Sequence, residues 1–402
     1  VAVETQTGPV GRTKGSGILP SALYRPEVRS VVYQIALVLI LGFAAWWVIN
    51  NIQDNLRRQN IASGFGFLDR RAGFDIAQHL IEYSSASTYG RAFLVGLLNT
   101  LLVAGLGIFF ATIIGFLVGI ARLSHNWLIA KLATAYVEVI RNMPLLLQLF
   151  FWYFAVLKSL PAPRQSVSLW GGTFLNVRGL YLPAPLPQAG FDWVLGAFFL
   201  GILASIGLAI FARRLQRDTG RQLPVFLPAL GMIIGLPLVV FALLGGPIAF
   251  EYPQLRGFNF TGGVVILPEL MALVVGLSLY TASFIAETVR SGLMGVPKGQ
   301  TEAADALGLS RGQTLRLVTI PQAMRIIIPP LTSQYLNLTK NSSLAVAIGY
   351  PDFVSVFTGT VLNQTGQAVE VILITMGVFL TISLATSFGM NWFNTRMALV
   401  ER

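Results

Sequence analysis

Apolar residues run through this chain in long blocks, separated by short stretches that are basic, polar or rich in Pro and Gly. A helix rising ~1.5 Å per residue needs roughly 20 mainly apolar residues to cross about 30 Å of hydrocarbon. Eight blocks meet or approach that length, at 31–49, 93–121, 144–160, 193–212, 224–249, 264–289, 322–349 and 368–390. The third is the shortest, because Lys158 and the Pro161-Ala162-Pro163 stretch stop it. The first follows a Gly-rich basic segment holding Arg12, Lys14, Arg25 and Arg29. No small-residue cleavage pattern comes after it, so it is expected as a retained span and not a signal peptide. Small-residue pairs such as Gly115 and Gly119 fit close helix contacts in lipid. The pattern predicts an all-α polytopic membrane protein with eight transmembrane helices.

Composition supports a bilayer as the solvent. Of 402 residues, 54% are hydrophobic and 11% are charged, against about 25% charged in a soluble domain, and the mean hydropathy is +0.68. With no Cys there is no disulfide, thiolate metal site or cysteine nucleophile, and His79 and His125 lie far apart in sequence. The net charge of +11 would suggest nucleic acid in a soluble protein. Here the basic residues sit at the ends of apolar runs, which points to membrane orientation and lipid, with no nucleic acid partner. Placing the N-terminus inside puts eighteen of the 28 Lys and Arg in cytoplasmic segments and nine in outer loops, with Lys340 inside a span. Both termini are therefore expected in the cytoplasm. No GxxxxGK[ST] and no strand-linked GxGxxG occurs, so neither familiar Gly-rich route to a nucleotide is present.

The longest informative polar segment is PKGQTEAADALGLSRGQTLRLVTIP, residues 297–321. It reads as two short helices, the first capped by Thr301 with Glu302 and Asp305 in its first turn and ended at Gly308. Ser310 and Gln313 have capping-box spacing for the second, which Pro321 is expected to close. Glu302-Ala303-Ala304, then Gly308, then Val318-Thr319-Ile320-Pro321 resembles the EAA loop of binding-protein-dependent ABC importer permeases. That resemblance implies an inner-membrane transport subunit and not an enzyme, with Glu302, Ala303, Ala304 and Gly308 docking an ATPase. The stretches 136–154, 321–352, GLLNTL at 96–101 and YTASFIAETVRSG at 280–292 resemble the polar amino acid branch, the histidine and glutamine type.

The resemblance covers about 90–160 and 264–402, a type I core of five helices. This chain adds the first helix and a helical pair at roughly 193–249, as in the enlarged permeases of general L-amino acid uptake systems. The expected organisation is 1–90, the cytoplasmic N-terminus, first added helix and outer loop; 91–160, the first part of the core; 161–263, the inserted region; and 264–402, the second part with the docking loop 290–321. The resemblance implies ABC ATPase subunits, a second homologous permease, a periplasmic amino acid-binding protein and an amino acid substrate in the bacterial inner membrane. It implies no cofactor in this chain, with ATP and Mg in the partner ATPase.

Polar residues inside spans are costly and read as functional by default. Gln148, Ser278, Tyr280, Gln334, Asn337 and Lys340 are the candidates for a substrate pathway, with helix-to-helix hydrogen bonding as the alternative for Gln148, Ser278 and Tyr280. Lys340 can instead snorkel outward, and Asn341 stands where the family usually has Asp. Pro329-Pro330 predicts irregular helix geometry. Glu138 with Arg141, and Glu287 with Arg290, are expected as local ion pairs. An ion-coupled secondary carrier would also explain polar spans, but it needs no docking loop and usually shows repeated halves, which are not evident. A membrane-embedded enzyme would need clustered acid, base or nucleophile groups, which the spans lack.

Overall fold

A computed structural model describes residues 26–58, 63–221 and 223–397. Arg12, Lys14, Arg25 and Arg402 of the charge count lie outside the described residues. The chain divides into two compact units, Val1–Phe65 with Thr365–Glu370, and Gly66–Gln364 with Val371–Arg402. In the first unit, α1 (Pro26–Arg58) carries the first apolar block, and Glu370 Oε1 accepts from the Gly64 amide at 2.6 Å.

The second unit is built on α2 (Tyr89–Ala121) and α7 (Pro268–Met294). Thr88 caps α2, its hydroxyl accepting from the Arg91 amide at 3.2 Å. Small residues let the two helices meet closely: a Cβ on Gly115 would lie 2.6 Å from Ile285 Cβ, and one on Gly119 2.8 Å from Ala286 O. In hydrocarbon, where apolar burial gives no driving force between helices, such close approach supplies the packing. Ala111, Ala282, Ile285, Val289, Ile327 and Leu338 form the buried core shared with α10 (Ile320–Asn341).

The third apolar block differs from its expected form. α3 (Trp127–Asn142) occupies a segment read as loop, capped by Asn126 Oδ1 from the Leu128 amide at 3.0 Å. It meets α4 (Leu145–Leu157) at a bend of 106°, where Pro144 cannot donate a backbone hydrogen bond. The insertion contributes α5 (Phe191–Thr219) and α6 (Phe226–Leu243), and the last block is α11 (Ala368–Met397). Among the described residues six helices are long and apolar enough to cross a bilayer, or seven if the bent pair is one span. The chain is mostly helical, as expected, while the count of eight exceeds what length and apolarity alone give.

The all-α expectation needs one correction. Residues 167–187 and 248–266 fold into eight short strands around the inserted pair. They are β1 (Val167–Ser168), β2 (Phe174–Asn176), β3 (Gly179–Leu182), β4 (Ala184–Pro187), β5 (Ile248–Glu251), β6 (Gln254–Arg256), β7 (Asn259–Thr261) and β8 (Val264–Ile266). The largest sheet has the order β1-β2-β3-β8, all antiparallel, and β4 pairs with β5 and β6 with β7. The sixth apolar block therefore starts as strand β8 and becomes helical only at Pro268, whose fixed φ suits a first helical turn.

Candidate functional site

The segment 297–321 folds much as its sequence suggests, with two changes. α8 (Lys298–Ala306) starts four residues earlier than expected, after Pro297, so Thr301 is interior and its hydroxyl donates to Lys298 O at 2.6 Å. The end is as anticipated: Gly308 has φ +74°, and the Leu309 amide reaches back to Ala304 O at 3.1 Å while that of Gly308 reaches Asp305 O at 2.9 Å. This is the left-handed C′ termination that glycine adopts without Cβ strain. Gln313 Oε1 accepts from the Ser310 amide at 2.9 Å, completing the capping box that opens α9 (Arg311–Thr314). Pro321 does not close this helix. A π-turn, Leu315–Thr319, shifts the hydrogen-bond register and carries the backbone into α10, so the missing proline donor is absorbed without a break.

The result is a knob between the ends of α7 and α10. Ala304 is buried and braces it from within, while Glu302, Ala303 and Gly308 are exposed. Gln322 Nε2 ties α10 back to Gln300 Oε1 at 3.0 Å, and Arg311 lies 3.3 Å from His125 Nε2 in the α2–α3 turn. Just before the glycine, Leu307 is 81% exposed, and Leu317, in the π-turn, is 61% exposed.

Seven residues before the end of α7, Glu287 gathers basic groups from α2, α3 and α7. Its carboxylate accepts from Arg290 at 2.5 Å and from Arg122, at the end of α2, and lies 4.0 Å from Arg141 of α3. Arg141 also stacks on Phe284, its guanidinium 4.9 Å from the ring centre. The Glu287–Arg290 pair stands as expected. Arg141 turns to Glu287 and not to Glu138, whose described contact is its carbonyl accepting from Asn142 Nδ2 at 2.7 Å. Arg122, one of the eighteen basic residues expected in cytoplasmic segments, has a side chain just 9% exposed.

The candidate pathway residues fall in different places. Gln148 is buried and donates to Ile140 O at 2.9 Å and Met143 O at 3.0 Å, pinning the α3–α4 bend. Ser278 is buried against α2, its hydroxyl 3.4 Å from Gly107 O. Tyr280 is half-buried, with its ring 5.0 Å from that of Phe284. On α10, Gln334 is half-buried, whereas Pro330, Ser333, Asn337 and Lys340 are exposed along one stripe at spacings of three and four. Lys340 lines a groove of about 450 Å³ with Ser343, Val354, Thr375 and Phe379.

The helix break expected at Pro329-Pro330 is not there, because α10 runs unbroken to Asn341. The irregular backbone follows instead, as the 3-10 segment Ser342–Ile348 ending at Gly349 with φ +77°. Beyond it lies a polar anchor that the sequence reading did not single out. Asn99 Nδ2 donates to Pro351 O at 2.9 Å and Gln78 O at 2.8 Å, Thr100 Oγ1 accepts from the Phe353 amide at 2.9 Å, and buried Asp352 caps the Ser355 amide at 2.9 Å. The signal available was the Asn99-Thr100 pair inside an otherwise apolar run.

Residues 218–399 match the family described as "Binding-protein-dependent transport system inner membrane component". The General L-amino acid transport system permease protein AapQ of Rhizobium johnstonii is 58% identical over 95% of this chain and 95% of its own. The putative amino-acid ABC transporter permease protein YhdX of Escherichia coli is 55% identical over 94% and 96%, respectively. The glutamate/glutamine/aspartate/asparagine transport system permease protein BztB of Rhodobacter capsulatus is 41% identical over 96% and 97%. A solved amino acid ABC transporter with histidines aligns with TM-score 0.46 at 19% identity, over 77% of this chain and 95% of that one. With near-complete alignment to such relatives and the polar knob in place, the chain belongs to the family of inner-membrane permease components of binding-protein-dependent ABC transport systems.

Proposed function

We infer that this permease carries amino acids into the cell as one half of a permease pair, with a second, homologous chain as the other half. ATP and Mg belong to separate ATPase subunits, and Glu302, Ala303, Ala304 and Gly308 form the contact through which their movement reaches the membrane. The observation that carries this reading is the knob itself, a capped polar hairpin with bare leucines, held between α7 and α10. Displacing it must displace the inner ends of both helices, and Glu287 links α7 to α2. The relatives' names support amino acids as the cargo.

The exposed polar stripe of α10 supports a path shared with the second permease. Asn337 and the Lys340 ammonium are costly in lipid and suit a wet interface between two chains, where a zwitterion needs fixed dipoles and charge in place of its lost hydration. The topology that accommodates this is eight crossings with both termini cytoplasmic, counting α10 with its 3-10 extension and the bent α3–α4 pair as one span each.

Gly308→Val tests the docking role. A β-branched residue at φ +74° costs about 1–2 kcal/mol of backbone strain, enough to reshape the knob. The reconstituted complex should lose uptake and the coupling of ATP hydrolysis to it. Normal assembly with parental uptake and hydrolysis would remove the docking assignment.

A further inference from the structure

The strand module around the inserted helices is built as a platform. Phe174 and Phe260 stack at 4.7 Å and Tyr181 lies 5.0 Å from Phe260. The Tyr181 hydroxyl donates to Asn259 Oδ1 at 3.0 Å, and buried Asn176 donates to Ser166 Oγ at 3.0 Å. Strand β8 closes on β3 with Leu180 opposite Ile266, and a Cβ on Gly179 would lie 2.3 Å from Ile266 O. An aromatic core with paired polar groups holds its surface in one shape.

That surface is aromatic and basic. Trp170 is 89% exposed, Phe258 73% and Tyr252 53%. A Cβ on Gly172 would meet the Tyr252 ring at 2.7 Å, so the Trp170 turn rides directly on Tyr252. Arg164, Arg178 and Arg256 are exposed, with Glu251 the single carboxylate of the strand segments. Arg164 stacks on Phe258, its guanidinium 4.2 Å from the ring centre. A recess of about 430 Å³ beside Tyr252 is lined by Glu251, Gln254, Arg256 and Thr261.

Position decides which compartment sees this surface. The module enters α7 at Pro268 and the docking knob leaves it after Met294, roughly 40 Å away along 27 helical residues. If the knob meets the ATPases, as the proposed function has it, the module stands on the opposite side, where solute arrives. We propose that the strand module is the docking platform for a soluble, solute-loaded binding protein, presenting Trp170, Tyr252 and its exposed arginines to an acidic edge of that partner. Exposed aromatics with arginines beside them, Arg164 on Phe258 and Arg256 by Tyr252, match the composition of protein-binding hot spots, and the positive excess steers an acidic partner into register. A lipid surface fits less well, because the recess beside Tyr252 is lined by polar groups.

The test uses the full complex in phosphatidylcholine nanodiscs, with ATP hydrolysis titrated by the purified amino acid-binding protein of the same transport system, saturated with mixed L-amino acids. The Arg178→Glu/Arg256→Glu double variant, and separately Trp170→Ser, should each raise the half-maximal binding-protein concentration about tenfold. Basal hydrolysis should not change. Raising NaCl from about 50 to about 500 mM should weaken the parental response more than that of the charge-reversed variant. Variant curves within about twofold of the parental one overturn the platform while leaving the importer reading intact. A shift seen only with phosphatidylglycerol present overturns it in favour of headgroup contact, and one accompanied by self-association of complexes does so in favour of a second copy. A parental complex that no binding protein stimulates overturns both readings.

Discussion

A single carboxylate serves three guanidinium groups near the C-terminal ends of α2, α3 and α7, and their burial sets how much each pairing is worth. Arg122 has a side chain 9% exposed and contacts Glu287 directly, whereas Arg141 is 38% exposed and 4.0 Å away. Removing a partner from a buried charge costs about 3 kcal/mol, while a half-exposed pair is worth about 1 kcal/mol or less. Glu287→Gln should therefore lower the thermal stability of the purified complex by several degrees, and Arg141→Gln should change it little. Equal melting temperatures for the two variants would show that burial of Arg122 carries no energetic weight here.

At the scale of elements, the α2–α7 pair depends on glycines whose missing Cβ is occupied by the neighbouring helix. A methyl group on Gly115 would lie 2.6 Å from Ile285 Cβ, while one on Gly105 of the same helix meets nothing within 4 Å. Overpacking costs about 1–3 kcal/mol, and Gly→Ala in an open helix position gains about 0.5–1 kcal/mol. Denaturation of the two variants should thus give shifts of opposite sign, Gly115→Ala destabilised and Gly105→Ala slightly stabilised. The α10 stripe makes a different prediction. Asn337→Leu and Lys340→Met should reduce amino acid uptake without affecting complex assembly or basal ATP hydrolysis. Parental transport of every tested amino acid by both variants would place the path elsewhere, in the partner permease.

Across the whole molecule, topology follows from where the basic residues cannot go. With no native Cys, single substitutions give clean reporters. Thr219→Cys and Ser310→Cys should resist an impermeant thiol reagent in intact cells, and Thr261→Cys, exposed at the end of β7, should react. External labelling of Thr219→Cys would remove one of the two inserted crossings. The apolar blocks were legible because each spans at least a dozen residues in one solvent, hydrocarbon, and the docking knob was legible because caps and a left-handed glycine are local chemistry. The strands were not. Each has two to four residues, too few to show alternation, and β3 finds its partner β8 only across the intervening helical pair.

The amino-acid sequence alone determined that this chain lives in a bilayer, where its longest helices run, and that a capped polar hairpin closes at Gly308, because transfer into lipid and backbone preference act on contiguous residues. Tertiary structure decided the rest. Whether Arg141 meets Glu138 or Glu287, whether Gln148 lines a path or pins a bend, and whether Pro329-Pro330 breaks α10 depend on which helices come together and on the room left between them. Long-range contact also assembled the Glu287 cluster from three helices, anchored Asn99 to Pro351, and folded two distant loop segments into one aromatic platform. Burial and hydrogen-bond satisfaction are properties of that whole arrangement, and no window along the chain contains them.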